Sequence, residues 1–156
     1  MVSIYHQQIL TTYMSFQQKP SGPNNVLEYQ ASGLPFAKQT TTPAGATAVS
    51  TVSFPYVTKF FKITNLGSTN IHVGFTHNGV LGTNKFTLIS SGSFQGDIRV
   101  TDLYVNGGGS AVPFEVVAGL TAIPRINYYI LTGSLTNFSG SQEDYQYKGL
   151  GYDGLG

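Results

Sequence analysis

Val57-Thr58-Lys59-Phe60-Phe61-Lys62-Ile63-Thr64-Asn65 alternates along its length. Val57, Lys59, Phe61 and Ile63 fall on one side; Thr58, Phe60, Lys62 and Thr64 fall on the other. A period of two is the signature of a β-strand. Both sides carry an aromatic ring, so the strand is expected in the interior of a sheet. Leu66-Gly67-Ser68-Thr69-Asn70 then turns the chain, and Ile71, Val73 and Phe75 face one way with His72, Gly74 and Thr76 opposite.

Working outward, the same grammar repeats. His77-Asn78-Gly79-Val80-Leu81-Gly82 contains an Asn-Gly pair, read as a hairpin turn because both residues tolerate positive φ. Lys85-Phe86-Thr87-Leu88-Ile89 is short and β-like, and Ser90-Ser91-Gly92-Ser93 turns again. Ile98 and Val100 share a parity that Leu103 and Val105 break, so a bulge is expected near Thr101-Asp102. Asn106-Gly107-Gly108-Gly109-Ser110 reads as a flexible loop. Val112, Phe114, Val116 and Ala118 alternate with Pro113, Glu115 and Val117, and Pro113 suggests a sheet edge or a strand start. Tyr128-Tyr129-Ile130-Leu131-Thr132 is the last expected strand. No window between 46 and 135 repeats apolar residues at i, i+3, i+4 and i+7. The expected fold is all-β, a single antiparallel β-sandwich or barrel with little helix.

Residues 46–135 are therefore read as the domain. Residues 1–45 have too few clustered apolar positions for a core and are read as an extended N-terminal arm, with Thr40-Thr41-Thr42-Pro43-Ala44-Gly45 as linker. Residues 136–156 are read as a Gly- and Tyr-rich C-terminal tail. Tyr5, Tyr13 and Phe16 in the arm and Tyr145, Tyr147 and Tyr152 in the tail are candidate assembly contacts, since Tyr offers large contact area at low entropy cost. Arg125 joins them; it could pair with a carboxylate of a neighbouring copy or, the favoured reading, cap a loop of its own chain.

Composition narrows the function. The chain has 156 residues, a length that suits one domain with its own core. Charged residues make up 10% of it and the net charge is +1, where about 25% charged is usual for a soluble domain. A nucleic-acid binder needs a basic stripe to displace counterions, so that class is disfavoured. Met1–Gln18 lacks charge but is broken by Gln, Thr and Tyr, and suits neither a membrane span nor a signal peptide. With no Cys there are no disulfides, thiolate metal sites or Cys nucleophiles. Ser, Thr, Asn and Gln number 49, so hydroxyls and amides must cover much of the surface. Interface cores are poor in Lys, Glu and Asp and rich in Tyr and Phe, which suggests a surface covered by neighbours.

Chemistry finds little footing. The Gly107-Gly108-Gly109 run is followed by a β-like stretch, whereas a phosphate cradle needs a helix N-terminus. His72 and His77, with Asp97, Asp102 and Glu115 downstream, do not form a spacing that converges three or four ligands, and they read as surface histidines. There is no Gly-x-Ser-x-Gly; Ser91-Gly92-Ser93 and Ser139-Gly140-Ser141 lack the frame of a nucleophile elbow. Lys59 and Lys62 lie on opposite faces of one strand and make no patch. Asn137-Phe138-Ser139 matches a glycosylation acceptor by chance. No catalytic residue, cofactor or metal is assigned, and no enzymatic activity is expected.

The stretches Val57–Asn65, Ile71–Val80, Ile98–Val105, Val116–Pro124 and Leu131–Ser134 together resemble the core of small all-β capsid proteins of double-stranded DNA viruses. The resemblance covers about residues 54–134. It points to jelly-roll vertex (penton) proteins, minor capsid or cement proteins and phage decoration proteins. It implies a jelly-roll sandwich, a place in the virion, and a homo-oligomer. A pentamer would suit a vertex protein; a trimer or dimer would suit a decoration protein. The implied partners are other capsid proteins, the major capsid protein among them, with no direct nucleic-acid binding and no membrane insertion. A rival reading is a ligand- or glycan-binding sandwich that stacks Tyr104, Tyr128 or Tyr129 on sugar rings, although Trp, common in sugar sites, is absent.

Overall fold

Alternation becomes burial in the strand that starts at Pro113. Phe114, Val116, Ala118 and Leu120 are at most 2% exposed, while Val117 between them is 44% exposed. The computed structural model describes residues 33–128, 130–131 and 149–150. In chain order the strands are β1 (Leu34–Thr41), β2 (Val49–Ser53), β3 (Tyr56–Asn65) and β4 (Ile71–Gly74). A short helix α1 (His77–Leu81) follows, then β5 (Phe86–Leu88), β6 (Ser93–Gly96), β7 (Asp102–Asn106) and β8 (Pro113–Pro124). A 3-10 turn (Arg125–Asn127) leads to β9 (Ile130–Leu131), which pairs in parallel with β10 (Gly149–Leu150).

Two four-stranded antiparallel sheets form, with orders β1-β8-β3-β6 and β2-β7-β4-β5. The pairing is nested: β4 with β5, β3 with β6, β2 with β7, and β1 with β8. The pairs β3–β8 and β4–β7 then join these ribbons into sheets. Val52, Phe61, Ile63, Ile71, Val73, Leu103, Val105 and Phe114 fill the space between the sheets, each fully buried. Aromatic rings close both open sides of the sandwich. Phe36 on β1 meets Phe54 edge-on at 4.9 Å beside β2. On the other side Phe94 of β6 and Phe86 of β5 lie 4.8 Å apart, with Phe61 and Phe75 behind them. β3 is interior, as its two aromatic faces imply, and Pro113 starts a central strand.

Four expectations are corrected. Residues 34–41, assigned to the 1–45 arm, form edge strand β1, paired with β8 from Leu34↔Leu120 to Thr41↔Pro113. The domain therefore includes them; residues 1–32 lie outside the described residues. The Asn78-Gly79 pair sits in helix α1, not a two-residue turn. Thr76 caps the helix by accepting the Gly79 N–H on Oγ1 at 2.9 Å. Gly74 lets α1 approach, because a Cβ there would come within 3.1 Å of Val80 backbone and side chain. The parity break at Thr101-Asp102 is no bulge: the chain leaves the first sheet after Gly96 and enters the second at Asp102. Buried Thr58 steadies the crossing, donating Oγ1–H to the Ile98 carbonyl at 2.7 Å and accepting the Val100 N–H at 2.9 Å. The 107–110 loop is a hydrogen-bonded turn, with Gly108 and Gly109 at φ 62° and 106°. Asn106 pins it, accepting the Gly108 N–H and donating to the Ala46 and Ala48 carbonyls.

Candidate interaction surfaces

The outer face of the second sheet carries a polar cluster. Ser53 pairs with Asp102 and Thr51 with Tyr104; Tyr104 pairs in turn with Gly74, and His72 with Asn106 and Thr87. Their inward neighbours Val52, Leu103, Val105 and Val73 are buried, so strand alternation sends these side chains outward. Asp102 is the hub. Its Oδ1 accepts from Ser53 Oγ at 2.7 Å and from Arg125 Nη1 at 2.9 Å, and its Oδ2 accepts from Thr101 Oγ1 at 3.0 Å. Three donors on one carboxylate leave little acceptor capacity for a ligand. Arg125 is thus the internal clamp that its sequence context favours, also donating its own N–H to the Pro55 carbonyl. Its side chain remains 47% exposed, against 15% for Asp102.

Tyr104 lies half-buried beside this pair, with His77 of α1 edge-on to its ring at 6.4 Å. Burial, and secondarily the Asp102 carboxylate, pushes the Tyr104 phenol up; Arg125 opposes the shift. His72 is half-buried, and its Nδ1 lies 3.0 Å from Thr87 Oγ1. Burial, and secondarily Lys85, holds the imidazole below its ordinary value. A neighbouring cation opposes imidazolium formation, which is the reverse of what a general base beside a hydroxyl requires. Among the described residues no group of three or more His, Cys, Asp and Glu is placed to hold a metal ion.

The two ends of the sandwich differ. At one end the connections 42–48, 65–70, 89–92 and 107–112 are laced together. Thr42 Oγ1 donates to the Ser110 carbonyl, and the Gly45 N–H to that of Gly109. The Leu66 N–H donates to the Pro113 carbonyl and Ser90 Oγ to that of Gly67. Asn65 lies beneath, fully buried, its Nδ2 donating to Thr69, Leu88 and Ile89 carbonyls and its Oδ1 accepting the Gly67 N–H. The opposite end holds Lys85, Asp97, Arg99, Asp102 and Arg125 on its connections and strand ends.

Of the candidate contacts read from sequence, Arg125 is placed as above. Tyr5, Tyr13, Phe16, Tyr145, Tyr147 and Tyr152 lie outside the described residues, as does Tyr129. Tyr128 is half-buried and donates its hydroxyl to the Arg99 carbonyl at 3.3 Å. Asp102, Asn65 and Asn106 carry the local networks, and sequence reasoning missed all three roles. The available signal was a short polar side chain at the end of an apolar alternation.

No protein-family model matches the chain, and no curated protein matches it. Among solved structures it is similar to the crystal structure of PirA, at 14% identity and a TM-score of 0.36, covering 53% of this chain and 92% of that one. A likeness of that size assigns neither fold nor function.

Proposed function

We propose that this chain is a non-enzymatic structural protein of a virus particle, a small jelly-roll capsid component of the vertex, minor capsid, cement or decoration type. The nested pairing of eight strands carries the reading. Four ribbons wound into two facing sheets are the layout of a jelly roll, an architecture that capsid domains share with lectins and cupins. Low charge supports the capsid branch, because a subunit covered by neighbours needs few charges to stay apart from its copies. The partners are copies of the chain and other capsid proteins. The test is mass spectrometry of purified particles together with native mass spectrometry of the isolated chain. A stable monomer that is absent from particles refutes the proposal.

One observation favours a second reading, a ligand- or glycan-binding module. Tyr104 sits half-exposed on an outer sheet face near the exposed side chain of Arg125. An aromatic ring next to a planar donor suits a sugar ring and its hydroxyls. A glycan array with wild type and Tyr104→Ala decides it: hits lost in the variant support the module, and a blank array removes it.

A further inference from the structure

Beyond Ile123 the chain's grip on the sandwich changes in kind. Up to that point β8 belongs to the core: Thr121 and Ile123 are fully buried, and Thr121 Oγ1 donates to the Val57 carbonyl at 2.9 Å. Pro124 ends the strand, and none of Arg125, Ile126 and Asn127 is buried; Ile126 is 64% exposed. These residues and Tyr128 attach to the crossing that carries the chain from Gly96 of the first sheet to Asp102 of the second. Arg125 Nη1 reaches Asp102 at 2.9 Å, where the crossing ends, and the Tyr128 hydroxyl donates to the Arg99 carbonyl at 3.3 Å in its middle. The Arg125 N–H donates to the Pro55 carbonyl at 3.1 Å. The crossing itself is fastened separately. The Thr58 N–H donates to the Val100 carbonyl at 3.0 Å and the Phe54 N–H to that of Thr101 at 2.8 Å, and Val100 is buried.

We infer that residues 125–128 are a releasable strap, a device that fixes how the chain leaves the sandwich and opens without unfolding it. What holds the strap is polar: an ion pair whose arginine side is exposed, and hydrogen bonds, one of them long. Exposed ion pairs contribute little and weaken further with salt. Tyr128 alone among the four is half-buried together with Asn127, and neither enters the core. The crossing, by contrast, keeps its own buried anchors when the strap lifts. Segments with few buried apolar contacts and exposed hydrogen bonds open locally, ahead of the global transition. The ion pair is the point of control. Asp102 is held on β7 by Ser53 and Thr101 whether or not Arg125 is present, so the arginine can leave a carboxylate that stays where it was. The strap is a property of the single chain and does not depend on the particle reading.

The test is amide hydrogen exchange of the full chain, read by NMR and corrected for intrinsic rates. The Arg125 N–H reports the strap; the Thr58 and Phe54 N–H groups report the crossing. In wild type the Arg125 amide is expected to exchange at least about tenfold faster than those two. It is expected to quicken again in roughly 1 M salt, where the screening length falls to about 3 Å. Asp102→Asn and Arg125→Gln are each expected to speed it about threefold, with the Thr58 and Phe54 amides unchanged. Arg125→Gln alters an exposed side chain and carries the test should Asp102→Asn fail to fold. An Arg125 amide as slow as the two crossing amides overturns the inference, because the strap would then open only with the core. Exchange at Arg125 that ignores both the salt and the substitutions overturns it too, because the ion pair would then control nothing.

Discussion

Replacing Asn65 tests how the two sheets are tied together. Its side chain is fully buried at the end of β3, in the first sheet, and reaches carbonyls at the end of β5, in the second. Two Nδ2 protons serve three carbonyl oxygens at 2.8, 3.0 and 3.1 Å, and Oδ1 accepts one N–H at 2.9 Å. That amounts to three full hydrogen bonds, each contributing about 1 kcal/mol net, with a further desolvation cost for groups left unpaired. Asn65→Ala should therefore destabilise the domain by about 3 kcal/mol in urea titrations followed by circular dichroism, with an unchanged m-value. Asn65→Asp keeps the shape and the acceptor but sets a carboxylate against three carbonyl oxygens. Burial and those oxygens raise its folded pKa above the unfolded value. The penalty is then fully present above the folded pKa and shrinks as pH falls through it. Asn65→Asp should cost more at pH 7 than Asn65→Ala, and the gap should narrow at about pH 4 relative to wild type. A loss under about 1 kcal/mol for Asn65→Ala, or a pH-independent Asn65→Asp, refutes the network.

Other consequences can be measured in the same way. Phe61→Ala should cost about 3–5 kcal/mol, because the ring is fully buried against Phe75 and Phe94. Half-buried Phe75→Ala should cost clearly less, and equal losses by urea titration would contradict the burial pattern. His72 is held below its ordinary 6.5, so the unfolded chain takes up the proton first as pH falls. Stability should drop as pH falls through the unfolded value of 6.5, and His72→Gln should flatten that slope in thermal melts. Removing residues 1–32 should leave a cooperative melt, whereas removing 1–45 strips β1 and the Phe36–Phe54 contact. The longer deletion should lose at least about 3 kcal/mol, and equal melting temperatures for the two truncations would show β1 dispensable.

Much of the sandwich was legible because burial follows parity. Phe61 and Ile63, Ile71 and Val73, and Phe114, Val116 and Ala118 each point inward as their alternation requires. β1 escaped notice for a physical reason. Leu34-Pro35-Phe36-Ala37-Lys38-Gln39 carries Pro and Lys and no clean alternation, and Pro and Lys are what keep an edge strand from pairing with strangers. From sequence, an edge protected in this way resembles an arm. Helix α1 has five residues, too few for a 3.6-residue period to register, and only Thr76 signalled its start. The Arg125–Asp102 clamp joins the 3-10 turn after β8 to the start of β7, so no local pattern announces it. The parity break at Thr101 was visible, but a change of sheet and a bulge leave the same trace in a linear pattern.

The nested pairing also sets a schedule for folding. β4 and β5 meet across a short connection, yet β1 must wait for β8, whose residues leave the ribosome after all the other strands of both sheets. Loop closure grows costlier with every ribbon added outward, so the pairing is expected to zip from the inside and finish with Leu34 against Leu120. Until then the nascent chain holds an unsatisfied early strand next to the Phe54 ring that Phe36 will shield. Synthesis at high copy number would crowd many such half-zipped molecules together, where exchange of first strands between them becomes the characteristic misfolding route.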